Sequence, residues 1–214
     1  MITVSEHSIE ENLLTPGCWV LDLGSSTDFV FAKEMLNRGM KVISVDCNPK
    51  IESSMLPDHI NFHFERKAII PENDFSEFKT MKVFNDTDAA TTSESTNLRP
   101  YSVLIETINV ETIKISEIMS KYNITEFEVI KIDIEGSEYD LLLQMNHPLS
   151  KQLSVEFHDF RDLNPTFPNN EIYYEQLMDK ILPHYSIVKH EKTHHPGFAH
   201  GHGYNFWDSL FVKK

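Results

Sequence analysis

Only two cysteines, Cys18 and Cys47, occur in the 214 residues of this chain. That is far too few for a disulfide scaffold and points to a reducing compartment. Long apolar runs are missing as well, since no stretch approaches the ~20 residues that a membrane-spanning helix needs. The acidic start, Met1 to Leu14, has neither the basic beginning nor the apolar centre of a signal peptide. Together these absences predict a cytoplasmic protein. Positive charge is scarce: 19 Lys and Arg against 33 Asp and Glu leave a formal charge of −14. A field of that sign repels nucleic acid and anionic membranes and suits a small neutral or cationic ligand. Internal repeats and long low-complexity segments are absent too.

What remains describes a globular protein: 40% hydrophobic and 24% charged residues, at a length that suits one domain over 1–214. Ser5 to Leu14 reads as a short helix with Ile9, Leu13 and Leu14 on one face. Cys18 to Leu21 is a wholly apolar strand of the buried kind. A helix from Asp28 to Asn37 follows, closed by Gly39. Val42 to Val45 and Ile60 to Phe64 are the next strands. Residues of about 71–108 form an insertion, a small β-hairpin with a polar tip at Asn85 to Asn97. After a helix near Ser116 to Tyr122, Val129 to Ile132 is the fourth main strand. Leu153 to Phe157, a helix from Asn170 to Leu182, and strands at Tyr185 to Val188 and Phe206 to Val212 complete the chain. Alternating strands and helices predict an α/β fold, a three-layer Rossmann-like sandwich on a mostly parallel sheet. The last two strands have no helix between them, so the final one should run antiparallel.

Two turns carry chemistry. Asp22-Leu23-Gly24-Ser25-Ser26-Thr27 joins the first apolar strand to its helix, a nucleotide-binding entry. Asp46 ends the next strand, where a carboxylate can accept the two hydroxyls of a ribose. The dinucleotide fingerprint is broken, because Ser26 and Phe29 stand where its second and third glycines belong. Asp28 also brings negative charge to the helix start where a pyrophosphate would sit. A phosphate-free nucleoside with a positive sulfonium, S-adenosylmethionine, meets these conditions. The other segment, VIKIDIEGSEYDLLL from Val129 to Leu143, runs an apolar strand into Asp133, Glu135 and Glu138. In open α/β sheets such strand ends face the ligand crevice.

With these motifs the chain resembles the FkbM-type family of SAM-dependent methyltransferases. The resemblance rests on VLDLGSS (Val20 to Ser26), VISVDCNP (Val42 to Pro49), VETIKISEIM (Val110 to Met119) and KIDIEGSE (Lys131 to Glu138). It implies a class I fold, a seven-stranded sheet with an antiparallel last strand, and methyl transfer, usually to a hydroxyl oxygen. It implies that Asp22, Gly24, Ser25 and Ser26 line the methionine part of the cofactor and that Asp46 holds the ribose. Cys47 and Asn48 would flank the adenosine, Lys67 and Ala68 the adenine, and Asp133 the sulfonium. Asp28 stands where the family generally carries a second glycine.

Methyl transfer to a neutral hydroxyl needs a base or a metal to take its proton. Asp133, Glu135, Glu156 and His158 are the candidates, with His158 or Asp133 favoured. A hard cation on Asp133, Glu156 and a further oxygen, with His158 also a candidate ligand, is a variant, and oxygen ligands favour Mg²⁺ over Zn²⁺. Each residue has a plainer alternative. The acids can complement the dipole of the helix that follows, and His158 can simply bond a backbone group. The five histidines from His190 to His202, in a loop of about 190–204, fit a surface lid better than a closed zinc site. Trp19, Phe157, Phe160 and Trp207 read as packing. The function expected is methylation of a small hydroxylated acceptor, such as a sugar or secondary metabolite, without nucleic-acid or membrane partners. The alternatives are a nucleotide-dependent oxidoreductase and an inactive SAM-binding module.

Overall fold

β-Branched and aromatic residues concentrate in short runs bounded by Gly, Pro, Asn and Asp, and those runs form the strands. The computed structural model describes residues 1–84, 90–91, 104–159, 170–195 and 204–214. The chain opens with an antiparallel hairpin, β1 (Ile2–Val4) and β2 (His7–Ile9). The helix expected over Ser5 to Leu14 does not form, apart from a 3-10 turn at Glu11–Leu13. Its supposed apolar face has no common partner: Ile9 is fully buried in the core, whereas Leu13 is 38% exposed. So short a helix is marginal in water, and pairing of Ile2, Thr3 and Val4 with the next strand wins.

The main elements follow as β3 (Trp19–Leu23), α1 (Val30–Asn37), β4 (Lys41–Val45), β5 (Phe62–Glu65), β6 (Ala68–Ile69), β7 (Phe78–Phe84), β8 (Ala90–Thr91), β9 (Leu104–Ile113), α2 (Ile115–Tyr122), β10 (Phe127–Ile132), α3 (Glu138–Leu143), β11 (Ser150–Asp159), α4 (Asn170–Ile181), β12 (Tyr185–His195) and β13 (Tyr204–Lys213). Seven strands make one sheet in the order β12-β13-β11-β10-β3-β4-β5. The pairs from β11 to β5 are parallel, and β13 runs antiparallel to both of its neighbours. This is the Rossmann-like sheet with an antiparallel last strand that the sequence predicts.

Strand alternation divides the core into two layers. Leu21, Leu23, Ile43, Val45, Ile130 and Ile132 face one side, with apolar residues of α2, α3 and α4. Val20, Val42 and Val129 face the other, with Phe31, Met35 and Leu36 of α1. The insertion is a separate four-stranded sheet, β6-β9-β7-β8, in which β7 and β9 pair antiparallel. It reaches Ile113 and recruits β6, so it is larger than the hairpin expected over 71–108. Of its expected polar tip only Ala90 and Thr91 are described. The His-rich loop expected over 190–204 is shorter than predicted, because His190 to His195 continue β12 in register with β13. Residues 196–203, with His200 and His202, lie outside the described residues, as does Phe160. Among the described residues no helix is long and apolar enough to cross a membrane.

Candidate active site

The chain leaves β3 for β4 and β5 on one side, then returns to place β10 and β11 on the other. The carboxyl ends of β3 and β10 therefore flank the point where strand order reverses, the usual ligand crevice of such sheets. Gly24 lies there with φ +77°, and a Cβ on it would come within 1.7 Å of the Asp133 carbonyl oxygen. A glycine is thus required by the packing of one strand exit on the next, rather than by an approaching ligand. Lys131 locks the same junction. Its buried ammonium donates to the Gly24 carbonyl and lies 3.4 Å from both Asp22 Oδ1 and Asp133 Oδ2.

On the β4 side, Asp46 receives two backbone N–H bonds, from Ser26 at 2.9 Å and Asn48 at 2.8 Å. Burial still pushes its carboxyl up to about 6. Ser26 reaches this bond through a left-handed φ of 54°. Asp22 is fully buried and accepts from the Ser44 hydroxyl at 2.9 Å. The hydroxyl of Ser25 is buried without a partner among the described residues. Cys47 places its sulfur 3.2 Å from that of Met81, and burial pushes its thiol up to about 12. Asp28 accepts from the Val30 amide at the start of α1, which uses the helix end that a phosphate would need. Lys67 turns away toward the insertion, pairing with Glu111 at 3.0 Å. There it lines a cavity of about 420 Å³ with Asp74, Phe75, Glu77 and Lys114. Ala68 is buried at the start of β6.

On the other side, alternation along β11 sends Leu153, Val155 and Phe157 into the core. Ser154, Glu156 and His158 point to the opposite face, where they form part of a polar cluster. His158 is buried, with Nδ1 3.0 Å from Glu138 Oε1 and Nε2 3.2 Å from Glu156 Oε1. Burial alone would lower its pKa, but these carboxylates raise it well above the ordinary value. Glu138 is fully buried and also accepts the N–H groups of Ile134 and Gly136. Burial pushes Glu156 up to about 7. Asp133 keeps 28% exposure. Burial would raise its pKa, but Lys131 and His7 hold it below the usual carboxylate range. Glu135, half-buried, takes φ 53° in the turn that follows.

The sequence reading missed His7. The N-terminal hairpin brings it, buried, to 3.5 Å from Asp133 Oδ2 and 3.5 Å from the Ser154 hydroxyl. Burial lowers its pKa, against the pull of Asp133. The hairpin is seated by a reciprocal pair: Gln152 accepts from the Glu10 amide at 2.7 Å and donates to its carbonyl at 3.1 Å. Lys131 was legible as part of a motif but not as the tie between two strand exits. The alternation Leu153-Ser154-Val155-Glu156-Phe157-His158 was the available signal for a polar face on β11.

No curated protein matches the chain. Similar solved structures include a provisionally assigned hemolysin from Streptococcus thermophilus, 13% identical, with a TM-score of 0.48 over 95% of this chain and 62% of that one. A provisionally assigned RNA methyltransferase from Pyrococcus horikoshii is 12% identical, with a TM-score of 0.47 over 92% and 75%. A TehB-like SAM-dependent methyltransferase from Corynebacterium glutamicum is 13% identical, with a TM-score of 0.43 over 95% and 86%. This chain thus spans 62% of the length of the first of these. None of the three reaches a TM-score of 0.5, so no residue or activity is carried over from them. The family is shown by sequence: residues 22–186, from the buried Asp22 of β3 to the start of β12, match the model of the methyltransferase FkbM domain, and the chain belongs to that family.

Proposed function

We propose that this chain transfers the methyl group of S-adenosylmethionine to a hydroxyl oxygen of a small acceptor, such as a sugar or a secondary metabolite. The observation that carries the reading is the pair of carboxylates flanking the switch point, Asp46 ending β4 and Asp133 just beyond β10. When bound, the cofactor supplies an electrophilic methyl group on a positively charged sulfur. Three features support its fit. Each Asp46 oxygen takes one backbone N–H and keeps a lone pair for a ribose hydroxyl. The Ser25 hydroxyl in the adjoining turn is buried and unpartnered among the described residues. Asp28 caps Val30, which disfavours a phosphate-bearing rival and with it an oxidoreductase.

The chain's own groups divide the work. Lys131 binds the Gly24 turn and the β10 exit into one unit, which fixes where cofactor and acceptor meet. Asp133, partly exposed, accepts a hydrogen bond from the acceptor hydroxyl. His158, clamped by Glu138, orients Glu156, so it acts by positioning rather than as the exposed base. Taking up the hydroxyl proton falls to the group formed by His7, Asp133 and Glu156. Glu135 completes the acidic rim that the acceptor passes. A small, uncharged acceptor suits the net charge of −14, as does a cytoplasmic setting without nucleic-acid or membrane partners.

The test is calorimetric titration with S-adenosylhomocysteine, followed by a screen of hydroxylated acceptors with labelled S-adenosylmethionine. Saturable binding that Asp46→Ala abolishes, together with label on an acceptor oxygen, is expected. Absence of binding at saturating ligand, or an unaffected Asp46→Ala variant, ends the proposal.

A further inference from the structure

The acceptor side of the crevice carries more negative charge than its own cations balance. Asp22, Asp133, Glu138 and Glu156 gather around Lys131 and His158. Asp208 faces Glu156 across the β11–β13 register, and its Oδ1 is buried without a partner among the described residues. Uncompensated charge in a protein interior is costly, so such a cluster takes up protons or holds a cation.

We propose that His7, Asp133 and Glu156 form a binding site for a divalent transition-metal ion of the Mn²⁺ or Zn²⁺ class, with an acceptor oxygen as a further ligand. One ligand atom from each of the three residues lies within 4.8 Å of the others. Ligands sharing one such ion in a tetrahedral site stand about 3.4 Å apart, so side-chain shifts of up to about 1.4 Å close the set. Two further observations point to a ligand. Glu156 is 6% exposed, and its Oε2 is buried with no partner among the described residues. The His7–Asp133 distance of 3.5 Å and the His158–Asp133 distance of 3.8 Å both exceed a good hydrogen bond. Both imidazoles thus hold Asp133 only loosely, and the second oxygen of Glu156 is left for a ligand.

The donor set selects the ion. An imidazole with two carboxylates favours Mn²⁺ or Zn²⁺, whereas the oxygen-only set that Mg²⁺ prefers is not what these residues offer. Ser154 lies 3.5 Å from the other nitrogen of His7. A hydroxyl bound to such an ion loses its proton more readily. The acceptor-oxygen part rests on the methyl-transfer reading, while the ion site stands on its own geometry.

The experiment uses the full chain, stripped with chelator and titrated with Mn²⁺ by electron paramagnetic resonance and with Zn²⁺ by calorimetry. S-adenosylhomocysteine binding and thermal melting are measured on the same samples. One ion per chain is expected, with His7→Ala and the isosteric Glu156→Gln each weakening it by at least about tenfold. A triple variant, His190→Ala with His194→Ala and His195→Ala, should leave it unchanged. An absence of stoichiometric binding overturns the proposal, as does equal affinity in folded Glu156→Gln, or loss confined to the triple variant. S-adenosylhomocysteine bound by a chain that takes up no ion sinks the metal site alone. An ion bound by a chain that ignores S-adenosylhomocysteine sinks the methyl-transfer reading instead.

Discussion

The two sides of the crevice hold their carboxylates by different means. Asp46 is fixed by backbone amides of residues within its own loop and the neighbouring turn. Asp133 is fixed by side chains: Lys131 two positions away, His7 from the N-terminal hairpin, and His158 from the next strand. Backbone amides cannot be mutated away and carry no net charge, so the Asp46 side tolerates sequence change around it. The Asp133 side is a network of buried ions, in which loss of one partner strands another. The Asp46 side is thus robust to substitution around it, whereas the Asp133 side is sensitive to the loss of any one partner.

Gly24→Ala should cause the largest break, because it disturbs both sides at once. A Cβ 1.7 Å from the Asp133 carbonyl oxygen, at φ +77°, forces the two strand exits apart. A loss of about 4 kcal/mol in urea unfolding is expected, at the upper end for single substitutions. An unchanged midpoint would mean that the turn does not pack on Asp133. Lys131→Met tests the ionic side. It leaves Asp22 and Asp133 without their shared cation, and about 3 kcal/mol of stability should go. A loss below about 1 kcal/mol would show that this network is no more ionic than a surface pair.

Asp46→Asn tests the backbone-held side. It should keep the fold and weaken S-adenosylhomocysteine by about 10- to 100-fold, the scale of a charged hydrogen bond. Titration of Asp46 sharpens the test. Its folded pKa, near 6, lies above that of an unfolded aspartate, so folding takes up a proton between about pH 4 and 6. The stability contributed by this group therefore falls as pH rises through that window. Cofactor binding runs the other way, because the ribose needs the ionised form. Wild-type affinity should drop about tenfold per pH unit below about pH 6, a slope that Asp46→Asn removes. Ser25→Ala should have the smallest effect. Stability of the free protein should stay within about 0.5 kcal/mol, since no bond is lost, while ligand affinity falls by about 1 kcal/mol. Equal ligand affinity would take Ser25 out of the binding surface.

Much of this was legible from periodicity and turn chemistry. Apolar runs located β3, β4 and β10, and their closing acids located Asp22, Asp46 and Asp133, because a strand cannot bury a carboxylate without a reason. The hairpin at Ile2 to Ile9 was not legible. Its apolar residues fit a helical stripe as well as a strand, and only the partner surface on β11 and β13 chose between them. Lys67 shows the same limit. The family resemblance assigned it to the adenine, while its pairing with a carboxylate on β9, 44 positions away along the chain, left no signal in the sequence.

The family, the alternation of strands and helices and the acids at the strand ends were determined by the chain itself, since they depend on local pattern and spacing. Which groups surround Asp133 was decided only in three dimensions. His7 meets Asp133 from 126 positions away, with β3, β4, β5 and β10 lying between them in the chain. Contacts of that separation leave no periodic trace, because they follow from the register of several strands at once rather than from any one segment.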